Sequence, residues 1–270
     1  MDHASRLINK RSEAGIAYDV TGRGPAVLFL HGLTFDRRTW TPIISLTGDR
    51  VLSLVVDLPG HGGSAAWSAY DFDTVIDAIH DTVKGAGVSE PVVVGHSISG
   101  LLGFVYAARY PTSAVIDVDM VLDLRGFAEL VRSLGSQLHG PEFAQLWEQF
   151  EHSMQLERIP REARELVDQS RRADQQLVLG YWAPLFDAPV AELLDRVDET
   201  LAAVSVPCAA IHGSELDMSY RSWLRDRLPQ VAIHEWPDSG HFPHLVHRER
   251  FVETLRSLAT HPPRVPPTEG

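Results

Sequence analysis

Six short apolar runs, each ending on or near a glycine or a polar residue, constrain the chain more than any other feature. They are "PAVLFLHG" (25–32), "VLSLVVDLPGHG" (51–62), "PVVVGHS" (91–97), "SAVIDVDM" (113–120), "VPCAAIHG" (206–213) and "QVAIHEW" (230–236). Apolar residues at consecutive positions suit strands covered on both faces, as in a parallel sheet; a strand with one wet face would alternate. Helical patterns fill the gaps, over about 39–46, 71–86, 98–109, 219–228 and 247–260. This alternation predicts an α/β fold with a mostly parallel central sheet flanked by helices. Tyr18, in "GIAYDV", is expected to begin that sheet as an antiparallel edge strand.

One segment breaks the rhythm. Residues 122–200 hold no convincing buried strand and read as helices, from "FAELVRSLGSQL" to "AELLDRVDETLAAV". That is too long for a simple crossover. The expected organisation is a core domain over 1–121 and 201–260, an inserted helical subdomain over 122–200, and a proline-rich tail over 261–270 that is extended or disordered. The 270 residues, 44% of them apolar, suffice for a large core plus such an insertion.

Composition excludes several function classes. A formal net charge of −12 repels phosphate backbones, so nucleic acid is a poor partner. Cys208 is the single cysteine, which rules out an internal disulfide and leaves no cysteine zinc cluster. Its apolar surroundings read as those of a buried structural thiol. No apolar N-terminal region and no run near the roughly 18 residues of a membrane helix are visible, so a cytoplasmic protein without a membrane partner is expected. The oligomeric state stays open, a homodimer included.

The chemistry is carried by "VVVGHSISG" (92–100). A strand ends, a tight turn follows, and a helix begins near Ile98. Gly95, Ser99 and Gly100 let the backbone bend sharply around Ser97, which lifts its hydroxyl to a helix N-terminus. The plainer alternative is a serine that merely caps that helix. In "FLHGLTF" a strand ends at His31-Gly32, where the backbone can turn an N–H inward. A developing oxyanion needs two such donors, and the N–H groups of Leu33 and Ile98 are the candidates. Gly32 is also expected beside the substrate. A serine needs an adjacent base, and histidine can both take and return a proton near neutrality. His241, in "WPDSGHFPHL", follows the last strand. His31 and His61 lie in glycine turns and read as structural, and His96 is expected to point away from Ser97.

Taken in order, "LHGLTF", "DLPGHGGS", "GHSISG", "IHG" and "SGHFPHL" resemble the α/β-hydrolase family over residues 15–260. The resemblance implies a triad of Ser97, His241 and one carboxylate, with the insertion 122–200 as a helical cap. It makes Asp57 a structural aspartate. In most of that family the acid follows the strand after the cap, here in "GSELDMSY", yet Leu216 stands where the aspartate belongs, flanked by Glu215 and Asp217. Other members place the acid at the end of the strand before the cap, where Asp119 lies. The lactone-cleaving branch similar to zearalenone hydrolase is one, and "SGHFPHLVHRERF" resembles it too. Asp119 is preferred, because strand carboxyl ends collect the sites of parallel sheets; Asp217 and Glu215 remain open.

The implied reaction is acyl transfer to water on a medium-sized apolar ester or lactone, with no cofactor and no metal. Serine at position 97 argues against the dehalogenase and epoxide-hydrolase chemistries of this fold, which use a carboxylate nucleophile; a C–C bond hydrolase is left open. A small-molecule receptor with little or no turnover, or a scaffold with a vestigial pocket, are the competing readings, since fold alone does not establish catalysis. Of the aromatics in the insertion (Phe127, Phe143, Trp147, Phe150, Tyr181, Trp182 and Phe186), most are expected to pack inward, with Trp182 the best candidate for a substrate contact.

Overall fold

A computed structural model describes residues 10–260. The tail over 261–270 lies outside the described residues. Among the described residues eight strands form one sheet: β1 (Lys10–Arg11), β2 (Ala17–Thr21), β3 (Ala26–Leu30), β4 (Leu52–Val56), β5 (Val92–His96), β6 (Ala114–Val118), β7 (Cys208–His212) and β8 (Val231–Glu235). Their order is β1-β2-β4-β3-β5-β6-β7-β8. Pairings from β4 through β8 are parallel, and β1 and β2 run antiparallel to their neighbours.

The apolar runs are apolar throughout because both faces of the sheet are covered. Along β5, Val93 packs into one core with Leu102 and Phe104, while Val92 and Val94 enter the opposite core with Phe29 and Trp40. Strands β3 to β7 are buried almost throughout, as consecutive apolar residues require. Two expectations need correction. The strand of Tyr18 is not the sheet edge, because β1 pairs outside it through Lys10 and Tyr18. The run "QVAIHEW" is only half-buried, since β8 forms the other edge.

Helices Thr41–Thr47, Phe72–Gly85, Ile98–Arg109, Met218–Arg227 and Arg248–Thr260 accompany the sheet. Asp71 starts the second of these by accepting a hydrogen bond from the Thr74 N–H at 3.1 Å. The helix expected over 247–260 is preceded by a short turn of helix, Pro243–Val246. Between β6 and β7 every regular element is helical, from Arg125–Ser133 to Val190–Ala202. Cys208 is buried at the start of β7, and burial, followed by the nearby Asp117, raises its thiol pKa to about 12.

Candidate active site

Every candidate residue of the core lies just past the carboxyl end of a strand: Leu33 after β3, Ser97 after β5, Asp119 after β6 and His241 after β8. Parallel strands align these ends on one side of the sheet, so residues far apart in sequence converge there.

Ser97 sits at φ 57° and ψ −132°, a conformation that L-residues rarely adopt. Its N–H donates to the Val118 carbonyl at 2.8 Å, and its own carbonyl accepts from the Gly100 N–H at 2.6 Å. The turn is tight enough that a Cβ at Gly95 would fall 1.8 Å from the Ser99 carbonyl oxygen, so only glycine fits. The Ser97 side chain makes no capping bond to the helix it precedes, which removes the plainer helix-cap reading.

Asp119 also has positive φ, 58°. Its Oδ2 accepts from His241 Nδ1–H at 2.7 Å, and its Oδ1 accepts the Gly213 N–H at 2.8 Å. Burial alone would raise this carboxyl, but the hydrogen bond and charge of His241 and the Gly213 N–H outweigh it, and its pKa lies below the ordinary value. An ionised carboxylate can only accept, so the proton of neutral His241 sits on Nδ1 and the Nε2 lone pair is free. The other two carboxylates stand apart from the imidazole. Asp217 Oδ1 accepts from the Tyr220 N–H at 3.0 Å and from the Ser219 hydroxyl, capping the helix Met218–Arg227 in full exposure. Glu215 is exposed on the same loop.

Ser97, His241, Asp119, Leu33 and Ile98 all border one cavity of about 1090 Å³. The Leu33 N–H has no hydrogen-bond partner among the described residues, and Ile98 opens its helix, where N–H groups lack an intrahelical acceptor. Two neutral histidines hold the loop that carries Leu33. His31 Nε2 accepts from the Leu58 N–H at 2.9 Å, and His61 Nε2 accepts from the Thr34 N–H at 3.1 Å. Burial lowers the pKa of both. Asp57 takes the Arg37 and Gly63 N–H groups at 2.8 and 2.7 Å and belongs to the turn after β4, away from the cavity.

Gly32 does not border the cavity, contrary to expectation. A Cβ there would meet His96 Nδ1 at 2.9 Å and Ser97 Cβ at 3.3 Å, so the glycine makes room for the turn rather than for substrate. Trp182 does border it, among Phe127, Trp147, Phe150 and Tyr181; Phe143 and Phe186 do not. More of these aromatics therefore reach the cavity than helical spacing suggested. Phe127, Trp147, Phe150 and Trp182 form one cluster, with Trp182 edge-on to Phe127 at 5.2 Å and to Phe150 at 5.6 Å, while Tyr181 stacks on Tyr70 at 4.6 Å.

Two further contacts carry no sequence signal. His96 stays off the cavity, yet its Nε2–H donates to the His241 carbonyl at 2.7 Å. Burial, then the neighbouring His241 and His244, holds its pKa well below the usual value. The His241 N–H in turn donates to the Met154 carbonyl at 3.0 Å, from the helical segment between β6 and β7. The backbone of His241 is thus tied on one side to the Ser97 turn and on the other to the insertion.

Comparison with known proteins agrees with this architecture. A pimeloyl-[acyl-carrier protein] methyl ester esterase from Chromobacterium violaceum is 28% identical over 261 residues, covering 90% of this chain and 96% of the relative. A 2-succinyl-6-hydroxy-2,4-cyclohexadiene-1-carboxylate synthase from Yersinia pseudotuberculosis is 37% identical over 84 residues, 31% of this chain and 30% of its own length. The solved structure of an esterase from Exiguobacterium antarcticum superposes with a TM-score of 0.74 at 18% identity, covering 90% of this chain and 95% of that one. The alpha/beta hydrolase family model matches residues 27–254, and this chain belongs to that family.

Proposed function

We propose that the chain is a serine hydrolase that cleaves a carboxylic ester or lactone of a medium-sized apolar molecule through an acyl-enzyme. Ser97 Oγ attacks the carbonyl carbon while His241 Nε2 takes its proton. Asp119 holds the imidazole in the required tautomer and stabilises its protonated form. The N–H groups of Leu33 and Ile98 receive the oxyanion. His241 returns the proton to the departing alkoxide, which in a lactone stays tethered to the acyl group. It then deprotonates a water that attacks the acyl-serine, and collapse of that second oxyanion restores the Ser97 hydroxyl. The helices over 125–202 serve as the cap that encloses the substrate.

The observation that carries this reading is the 2.7 Å bond from His241 to a carboxylate, in a cavity that Ser97 also borders. The likeness to a methyl ester esterase supports an oxygen ester over other acyl substrates. The receptor alternative drew on the off-pattern acid loop around Leu216, and Asp119 supplies the acid from a different strand.

A fluorophosphonate probe tests the proposal directly. Covalent labelling at Ser97, abolished in Ser97→Ala and accompanied by turnover of p-nitrophenyl esters or simple lactones, is expected. A folded protein that neither labels nor turns over any of them refutes it.

A further inference from the structure

The cavity extends well beyond Ser97. One stripe of the helix Ile98–Arg109 borders it along the helix's length, through Ile98, Leu101, Val105, Ala108 and Arg109. Spacings of three and four residues keep a stripe on one helix face. From Ser97 to Ala108 the helix rises roughly 16 Å. The helix Val190–Ala202 packs against it, and Leu193 and Val197 border the same space. Exposure grows along the stripe. Ile98 and Leu101 are buried, Val105 and Ala108 half-buried, and Arg109 exposed. This arm therefore begins beside the nucleophile and opens at a charged rim that includes Arg196 and Glu199.

Proton transfer decides which half of the substrate enters the arm. The leaving oxygen must lie within hydrogen-bond reach of His241. His241 lies past β8 and is bonded to Asp119, past β6, with Gly213 beside them, whereas the helix Ile98–Arg109 leads away from Ser97 against β5 and β6. The acyl half is the one that points along the helix.

We propose that this arm is an acyl-chain channel, and that the substrate of the hydrolase proposed above carries a linear apolar acyl chain of about 12 bonds, since an extended chain advances about 1.2 Å per bond. Val105 on one wall and Leu193 on the other set the usable length. A longer chain passes the rim into water and gains nothing more.

The test is the Ser97-dependent hydrolysis of p-nitrophenyl esters from acetate to palmitate, each below its micelle concentration. The expected kcat/KM rises by up to about fourfold per methylene and levels off near dodecanoate. In Val105→Trp, the ratio of dodecanoate to butyrate kcat/KM falls by about tenfold or more, because several methylenes lose their apolar contact. Leu193→Trp, from the facing wall, gives the same result and serves if the first variant fails to fold. A wild-type profile that is flat or peaks at acetate overturns the channel and leaves the hydrolase reading intact, as does an unchanged ratio in a folded variant. Absence of both turnover and Ser97 labelling overturns the hydrolase reading and the channel with it.

Discussion

Asp119→Asn is the perturbation that most sharply tests the site. Asparagine keeps the size of the side chain and tolerates the positive φ of 58°, where alanine would add about 1–2 kcal/mol of backbone strain. Its carbonyl can still accept the Gly213 N–H, so the loop is retained. Its amide, however, presents an N–H to His241 Nδ1, now 2.7 Å from an acceptor. The imidazole answers by carrying its proton on Nε2, and that atom can no longer take the proton of Ser97. The loss is one of tautomer and of the charge that stabilises the imidazolium, worth about 10³- to 10⁴-fold in kcat, or about 4–5.5 kcal/mol. The assay is steady-state ester hydrolysis, with circular dichroism to verify folding. Asp217→Asn is the control. It preserves an exposed helix cap, so activity stays at the wild-type level. The reasoning is refuted if Asp119→Asn keeps activity within tenfold while Asp217→Asn abolishes it.

Asp117 lies fully buried in β6, two residues before Asp119, and neither carboxyl oxygen has a hydrogen-bond partner among the described residues. Burial first, then the Asp119 charge, raises its pKa well above the ordinary value; the nearby Met120 N–H opposes this without reaching hydrogen-bond geometry. The folded chain keeps a proton that the unfolded chain has lost, so stability falls as pH rises from the ordinary carboxyl range through the folded value, by up to about 1.4 kcal/mol per pH unit. Asp117→Asn removes that slope, and denaturant titrations across pH should show its advantage over wild type growing as pH rises; a parallel pair of curves contradicts the assignment. Arg37 binds Asp19 at 2.5 Å and also Asp57, two carboxylates almost wholly removed from water. Arg37→Met strands both and should cost about 3–5 kcal/mol in urea unfolding, with a loss under 1 kcal/mol counting against the account. Trp182→Ala opens a hole in the aromatic cluster and should cost about 3–5 kcal/mol by the same measurement, together with a rise in KM; stability and KM both unchanged would show that the cluster neither packs the inserted helices nor touches substrate.

Local pattern alone was enough for the buried strands β3 to β7 and for the Ser97 turn, though not for the two edges of the sheet. Consecutive apolar residues report burial on both faces, and "GHSISG" after such a run reports a strand, a tight turn and a helix, all within a few residues of chain. The carboxylate was different. Asp119, Asp217 and Glu215 each stand near a strand end, and nothing in their neighbours' identities says which one faces an imidazole at position 241. The choice was made by the pairing of β6 with β7, which brings Asp119 beside Gly213, and by the loop after β8, which delivers His241 to it. The tie from Met154 to the His241 backbone and the reach of the cavity along the helix Ile98–Arg109 were equally invisible, because both depend on how the inserted helices settle on the core. Sequence encodes burial and turn chemistry over short spans, where propensity and pattern act directly; contacts between distant segments exist only once the sheet has closed and the insertion has packed across its carboxyl edge.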